Sequence, residues 1–374
     1  MRLSLVLLFS IVPLAVAGTG CQPGPDAAAI DPFLSALPSA ATLDISMPGT
    51  ATTTQSSIRA GLGQRLPAMA GAPGNDDPEL PSAPSAFHEA TMQTMASLNV
   101  ILLRLLEPID AATAAAIPVL DGSDAATWRG FSPDGTEEHL MVIHRMAGGY
   151  FDTYMASRST SEPGASWRHR LTGSYTPNTH PGAGQGSMWV DLGTDIDPAS
   201  EGKVLVLWSI LGGEREVAVF EYDVVTSGGQ DKAHHGSSRF HERADGSGEF
   251  VFQGPATFDT GEGDVKTFED ALIVTRWTPE SDGRTDVHVT GNDAQDDGFQ
   301  EEVASQCWLQ HGSVTTYDAI EGREKGDSEG SPGGRKMIKV LGLNEDCPYV
   351  EPSDDLAPSR PDEPLTPDLP SEAD

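Results

Sequence analysis

Three regimes of hydrophobic spacing follow one another along the chain. From Leu3 to Ala17 the residues are apolar almost without interruption, broken only by Ser4, Ser10 and Pro13. Next, Phe87, Thr91, Met95, Leu98, Leu102, Leu105 and Ile109 recur three and four apart, the spacing of one helix face. Ser85 can cap this helix and Glu89 sits well in its first turn, while Pro108 is expected to end it. Over Val100 to Leu103 and again at Leu105 and Leu106 the apolar stripe widens to nearly the whole circumference, so the helix has to be covered on most sides. It is too short in its apolar part to span a bilayer, and Arg104 and Glu107 interrupt it. The Ala-rich stretch from Asp110 to Ile117 predicts a short second helix between Pro108 and Pro118.

After Trp128 the period changes from 3.6 to 2. Alternating segments predict strands over His139 to Met146, Tyr150 to Ser157, Trp167 to Tyr175, Met188 to Leu192, Val204 to Leu211 and Val217 to Val224. The series continues over Ser238 to Arg243, Glu249 to Gln253, Ala271 to Trp277, Thr285 to Thr290, Glu302 to Trp308, Ser313 to Ala319 and Lys336 to Leu341. Turn signals such as Asp245-Gly246-Ser247-Gly248 and Asp282-Gly283 separate consecutive strands, so an antiparallel meander is the natural topology. Val204 to Leu211 is apolar on both faces and belongs in the middle of the sheet, whereas Ala218, Phe220, Tyr222 and Val224 share one face of their strand. Aromatic residues make up only 6% of the chain, too few for the girdles of an outer-membrane barrel, and no internal repeat of propeller length is visible. The expected fold is mainly β: a strongly curved antiparallel meander sheet, or half-open barrel, packed on an N-terminal apolar helix.

The first apolar run changes what the rest means. With Arg2 ahead of it and small residues behind it, residues 1–20 read as an export signal. Gly18-Thr19-Gly20-Cys21 resembles the lipobox of bacterial lipoproteins, which implies a diacylglycerol on Cys21 and a lipid-anchored protein; Gln22 after the cysteine points to the outer membrane. Ala15-Val16-Ala17 is also a site for general signal cleavage, and the alternative is a secreted protein beginning at Gly18. Residues 21–84 are rich in Ala, Pro, Ser, Thr and Gly and read as a disordered tether, with a reach of roughly 40 to 50 Å. Residues 85–350 form one domain, and residues 351–374 an acidic, proline-rich, disordered tail.

Export makes the cysteines informative. Of three, lipidation of Cys21 leaves Cys307 and Cys347, which are expected to form a disulfide; they lack the close C-x-x-C spacing of a zinc site. A net charge of -33 excludes nucleic acid and anionic lipid headgroups as partners. Calcium is the ion such a chain would take, and Asp293, Asp296, Asp297 and Glu301 are the metal candidates, without the spacing of a helix-loop-helix calcium motif. Asp259, Glu262 and Asp264 form a second acidic loop.

Catalytic constellations are nearly missing. His88-Glu89 and His241-Glu242 open like a zinc helix motif, but Met92 and Asp245 stand where the second histidine belongs. Gly182-Ala183-Gly184-Gln185-Gly186 lacks dinucleotide-loop spacing. His234-His235 with His241 is the one histidine cluster. Trp128-Arg129-Gly130, Thr275-Arg276-Trp277, Gly283-Arg284-Thr285-Asp286-Val287 and Gln306-Cys307-Trp308, together with the lipobox-like start, resemble a group of predicted lipoproteins from myxobacteria. That resemblance implies a lipoprotein and carries over no activity or catalytic residue. The sequence therefore leads to a non-enzymatic, lipid-anchored envelope protein that binds or carries an apolar or extended ligand, or docks an envelope protein. An exported hydrolase with an acidic site outside known motifs, and a passive surface component with calcium sites, are the alternatives.

Overall fold

The structure is a computed structural model. It describes residues 27–47, 64–67, 85–115, 118–132, 134–162, 164–178, 183–192, 200–226, 230–259, 269–294, 299–309, 312–325 and 332–349. The expected export signal, Cys21 and the acidic tail lie outside the described residues.

Among the described residues seventeen strands build one open sheet, and it is not a closed barrel. Eight run as consecutive antiparallel neighbours: β2 (Val119–Asp121), β3 (Ala125–Phe131), β4 (Glu137–Arg145), β5 (Phe151–Ser159), β6 (Arg168–Pro177), β7 (Gly184–Asp191), β8 (Ser200–Leu211) and β9 (Glu214–Thr226). A second series follows through β11 (Ser237–Glu242), β12 (Gly248–Asp259), β13 (Glu269–Trp277), β14 (Gly283–Ala294), β15 (Phe299–Leu309), β16 (Val314–Lys325) and β17 (Pro332–Gly342). Pairing of β9 with β11 joins the two, and β10 (Gln230–His234) adds to β9. Among the described strands only β1 (Gln64–Pro67) is parallel, lying beside Ala256 to Asp259 of β12, beyond the stretch that β11 covers.

Helix α3 (Ala86–Ala115) packs against β3, β4 and β14. Met95, Leu98, Leu102, Leu105 and Ile109 are buried, as the periodicity predicts. Ser85 caps it: its Oγ accepts from the His88 N–H at 3.1 Å. The Oε1 of Gln306 on β15 accepts from Phe87 N–H at 3.0 Å, and a buried hydroxyl chain joins Thr91 to Thr275 (2.8 Å) and Thr275 to Thr285 (2.9 Å). The start of the helix is thus tied to β13, β14 and β15 by polar groups, and its body is held by apolar ones. Pro108 does not end it. One N–H is lost there, but Leu105 and Leu106 before it, and Ile109 and Ala112 after it, are all buried in the same core, and α3 absorbs the expected second helix. Among the described residues no helix is long and apolar enough to cross a membrane.

The tether expected over residues 21–84 does not extend through residues 27–47. Helices α1 (Ala27–Leu34) and α2 (Ala40–Leu43) form there, and Phe33, Ala36, Leu43, Ile45 and Met47 belong to the main core. Phe33 meets Phe151 of β5 edge to face, with ring centroids 5.9 Å apart. Ser39 and Thr42 close a reciprocal capping box at the start of α2.

Strand β8 is central, as its two apolar faces require: Val204, Val206 and Trp208 join the main core while Leu205 joins a second cluster with Ala218, Phe220 and Tyr222. Val224 departs from the expected face and lies in the main core. Asp223 adopts φ 49° and Gly202 φ 116°, with a register shift between Glu201 and Lys203; this bulge turns the following side chain over. Two hairpin ends share one device. Trp277 stands opposite Gly248 and Trp308 opposite Gly283, and each indole lies where a glycine Cβ would be. Their Nε1–H groups reach the carbonyls of Gly246 and Ser281, both at 3.2 Å.

Residues 343–349 return over the outer face of β13 to β15. Cys307 and Cys347 form a disulfide with Cα atoms 5.5 Å apart. Beside it, buried Arg284 donates from Nε to both Asp286 carboxylate oxygens, from Nη1 to Asn344 Oδ1 and the Tyr349 carbonyl, and from Nη2 to Ser305 Oγ.

Candidate functional site

Where α2 and α3 approach the start of β9 they leave a cleft of 540 Å³. Ala40, Ala41 and Leu43 of α2 and Leu102, Leu103 and Leu106 of α3 form its walls, and Asp44, Asn99 and Arg215 supply its polar groups. A volume in this range suits a small organic ligand. Leu43, Leu102 and Leu106 are buried, while Leu103 is 39% exposed.

The polar side is built around two clamps. The Asn99 side-chain amide accepts from Ile45 N–H (2.8 Å) and donates to Ile45 C=O (2.7 Å) and to Asp44 Oδ1 (3.2 Å), mimicking a strand partner for an extended segment. Arg215 donates from Nη2 to Glu242 Oε2 at 2.9 Å, has Nη1 3.7 Å from Asp44 Oδ2, and lies 5.0 Å above the Phe240 ring. Its Nε–H is buried and finds no acceptor among the described residues.

The other residues singled out from sequence fall elsewhere. Glu301 is paired, 3.0 Å from His288 Nε2 and 2.9 Å from Arg323 Nη1; the side chains of Asp293, Asp296 and Asp297 lie outside the described residues, as do those of Asp259, Glu262 and Asp264. Among the described residues no group of three metal-ligating side chains forms. The histidine cluster disperses: His235 lies 3.5 Å from Asp223 and His241 3.6 Å from Glu214, and the side chain of His234 is not among those described. His88 packs edge-on against Trp308, and Glu242 serves Arg215.

One buried polar group was not visible in the sequence. At the inner end of β4 to β6, Arg170 Nε donates to Ser157 Oγ (2.6 Å), Arg170 Nη2 lies 3.0 Å from Glu137 Oε1, and Ser157 Oγ is 3.4 Å from the same oxygen. His139, opposite Ser157, is 7% exposed and its Nδ1 has no partner among the described residues. Burial, reinforced by the Arg170 charge, pushes the His139 pKa down and keeps its ring neutral. The hydroxyl is bonded to Arg170 and Glu137 and not to His139, so the group holds the sheet's end together and lacks the contact of a nucleophile with its base.

Comparison with known proteins finds no match. No family model, no curated protein and no solved structure is significantly similar to the chain.

Proposed function

We propose that this protein is a lipid-anchored component of the cell envelope that binds an apolar ligand and catalyses no reaction. The cleft between α2 and α3 carries the binding part of this reading: it has the volume of a ligand site and walls made of three leucines on α3 and a leucine and two alanines on α2. The anchoring part rests on the export signal and on Cys21. The hydrolase alternative finds its best support in the group around Ser157, where the hydroxyl is not paired with the imidazole.

Two mass spectra test the proposal. Intact mass of the protein from native membranes is expected to carry acyl groups on Cys21, and a chain beginning at Gly18 overturns the anchor. Native mass spectrometry of the same preparation is expected to show a co-purified apolar molecule that a fluorescent alkyl probe displaces. Failure to take up any such probe overturns the binding role.

A further inference from the structure

The charges around the cleft narrow what it can hold, an argument that rests on the binding role just proposed. Arg215 is the one cation among the described lining residues, and two carboxylates already face it, Glu242 at 2.9 Å and Asp44 at 3.7 Å. One guanidinium set against two carboxylates leaves the polar end net negative. A carboxylate or phosphate headgroup entering there meets Asp44 on the wall and displaces an existing ion pair to reach Arg215. The whole chain, at -33, repels anionic amphiphiles before they arrive. What Arg215 has to offer is the buried Nε–H that finds no acceptor among the described residues. A buried donor without a partner is costly, and a carbonyl oxygen brought in by a ligand, met by a turn of the guanidinium, satisfies it without adding charge.

We propose that the cleft between α2 and α3 binds a single uncharged acyl chain, its alkyl part against Leu43, Leu102, Leu103 and Leu106 and its ester or amide carbonyl at Arg215. Selection is therefore made at the head, by two carboxylates that refuse free fatty acids, while the tail is held by unspecific apolar contact.

The test is calorimetric titration at pH 8 of the full chain carrying Cys21→Ser, so that no acyl group of its own competes. The probes are 1-monolauroylglycerol and laurate, each below its micelle concentration. Monolauroylglycerol is expected to bind one per chain and laurate at least tenfold more weakly, and Asp44→Asn is expected to narrow that ratio. Leu103→Trp, made at a partly exposed wall position, is expected to abolish uptake with an unchanged circular dichroism spectrum. Equal or tighter binding of laurate overturns the selection of uncharged heads and leaves the binding role standing. Binding that survives Leu103→Trp overturns the placement in this cleft. Absence of binding by both probes overturns this inference and the binding role together.

Discussion

Replacing Asn99 by alanine separates a docked N-terminal segment from a loose one. Its amide makes two bonds to the backbone of Ile45 and a third to the Asp44 carboxylate, across more than fifty residues of sequence. Each backbone bond contributes about 0.5–1.5 kcal/mol, and the partly exposed bond to Asp44 adds about 0.5–1 kcal/mol after solvent screening. Asn99→Ala should therefore cost about 1.5–4 kcal/mol, unless residues 40–47 detach first, in which case the loss stops at the free energy of docking them. Asn99→Asp keeps the acceptor for Ile45 N–H, loses both donors, and sets a second carboxylate beside Asp44; it should be worse at pH 7 than at pH 4. Urea unfolding gives the global change, and amide hydrogen exchange over residues 40–47 shows whether the loss is local. A shift below about 0.5 kcal/mol with unchanged exchange would refute the clamp.

Other features make separate predictions. Reducing the Cys307–Cys347 disulfide, or replacing both cysteines by serine, removes a crosslink across 40 residues and should lower stability by about 4 kcal/mol, read from urea midpoints. Gly248→Ala and Gly283→Ala drive a methyl into the Trp277 and Trp308 rings and should each cost about 1–3 kcal/mol, while alanine at exposed Gly334, with nothing near its would-be Cβ, should be nearly neutral. His139 and His169 are both held below the usual 6.5 by burial, so the unfolded chain takes up protons first as pH falls. Stability present above 6.5 should be lost as pH drops toward the folded values; Tm should fall between pH 7 and 5, less steeply in His139→Gln, and a rise in Tm would contradict this.

The sheet was legible because most of its strands bury one face with β-branched and aromatic side chains, as Phe250 and Phe252, or Ile273 and Trp277, do in alternation. Strand β3 gives no signal in the sequence, since Ala126 and Gly130 flank Trp128 on its inner face and small residues carry no strand pattern. In residues 27–47, Ile30, Phe33, Leu34 and Leu37 carry helical spacing, but a composition of Ala, Pro and Ser outweighed them. At Pro108 the local cost of a proline within a helix is overridden by tertiary burial on both sides. The cleft was out of reach for a different reason: Asp44, Asn99 and Arg215 are far apart in sequence, and only the fold brings them together. The pairing of Cys307 with Cys347 follows in the sequence from cysteine number and from the export expected of the chain.

Docking of the N-terminal helices also sets a mooring distance. Only residues 22–26 separate Cys21 from the first residue of α1, and even fully extended these six steps span about 20 Å. With Cys21 acylated, the body is not a float on a 40 to 50 Å line but a cap resting on the bilayer, free to tilt and not to drift away. Tension on such an anchor would pass directly into α1 and from Phe33 into Phe151, so the lipid attachment and the folded core would respond to force as one object.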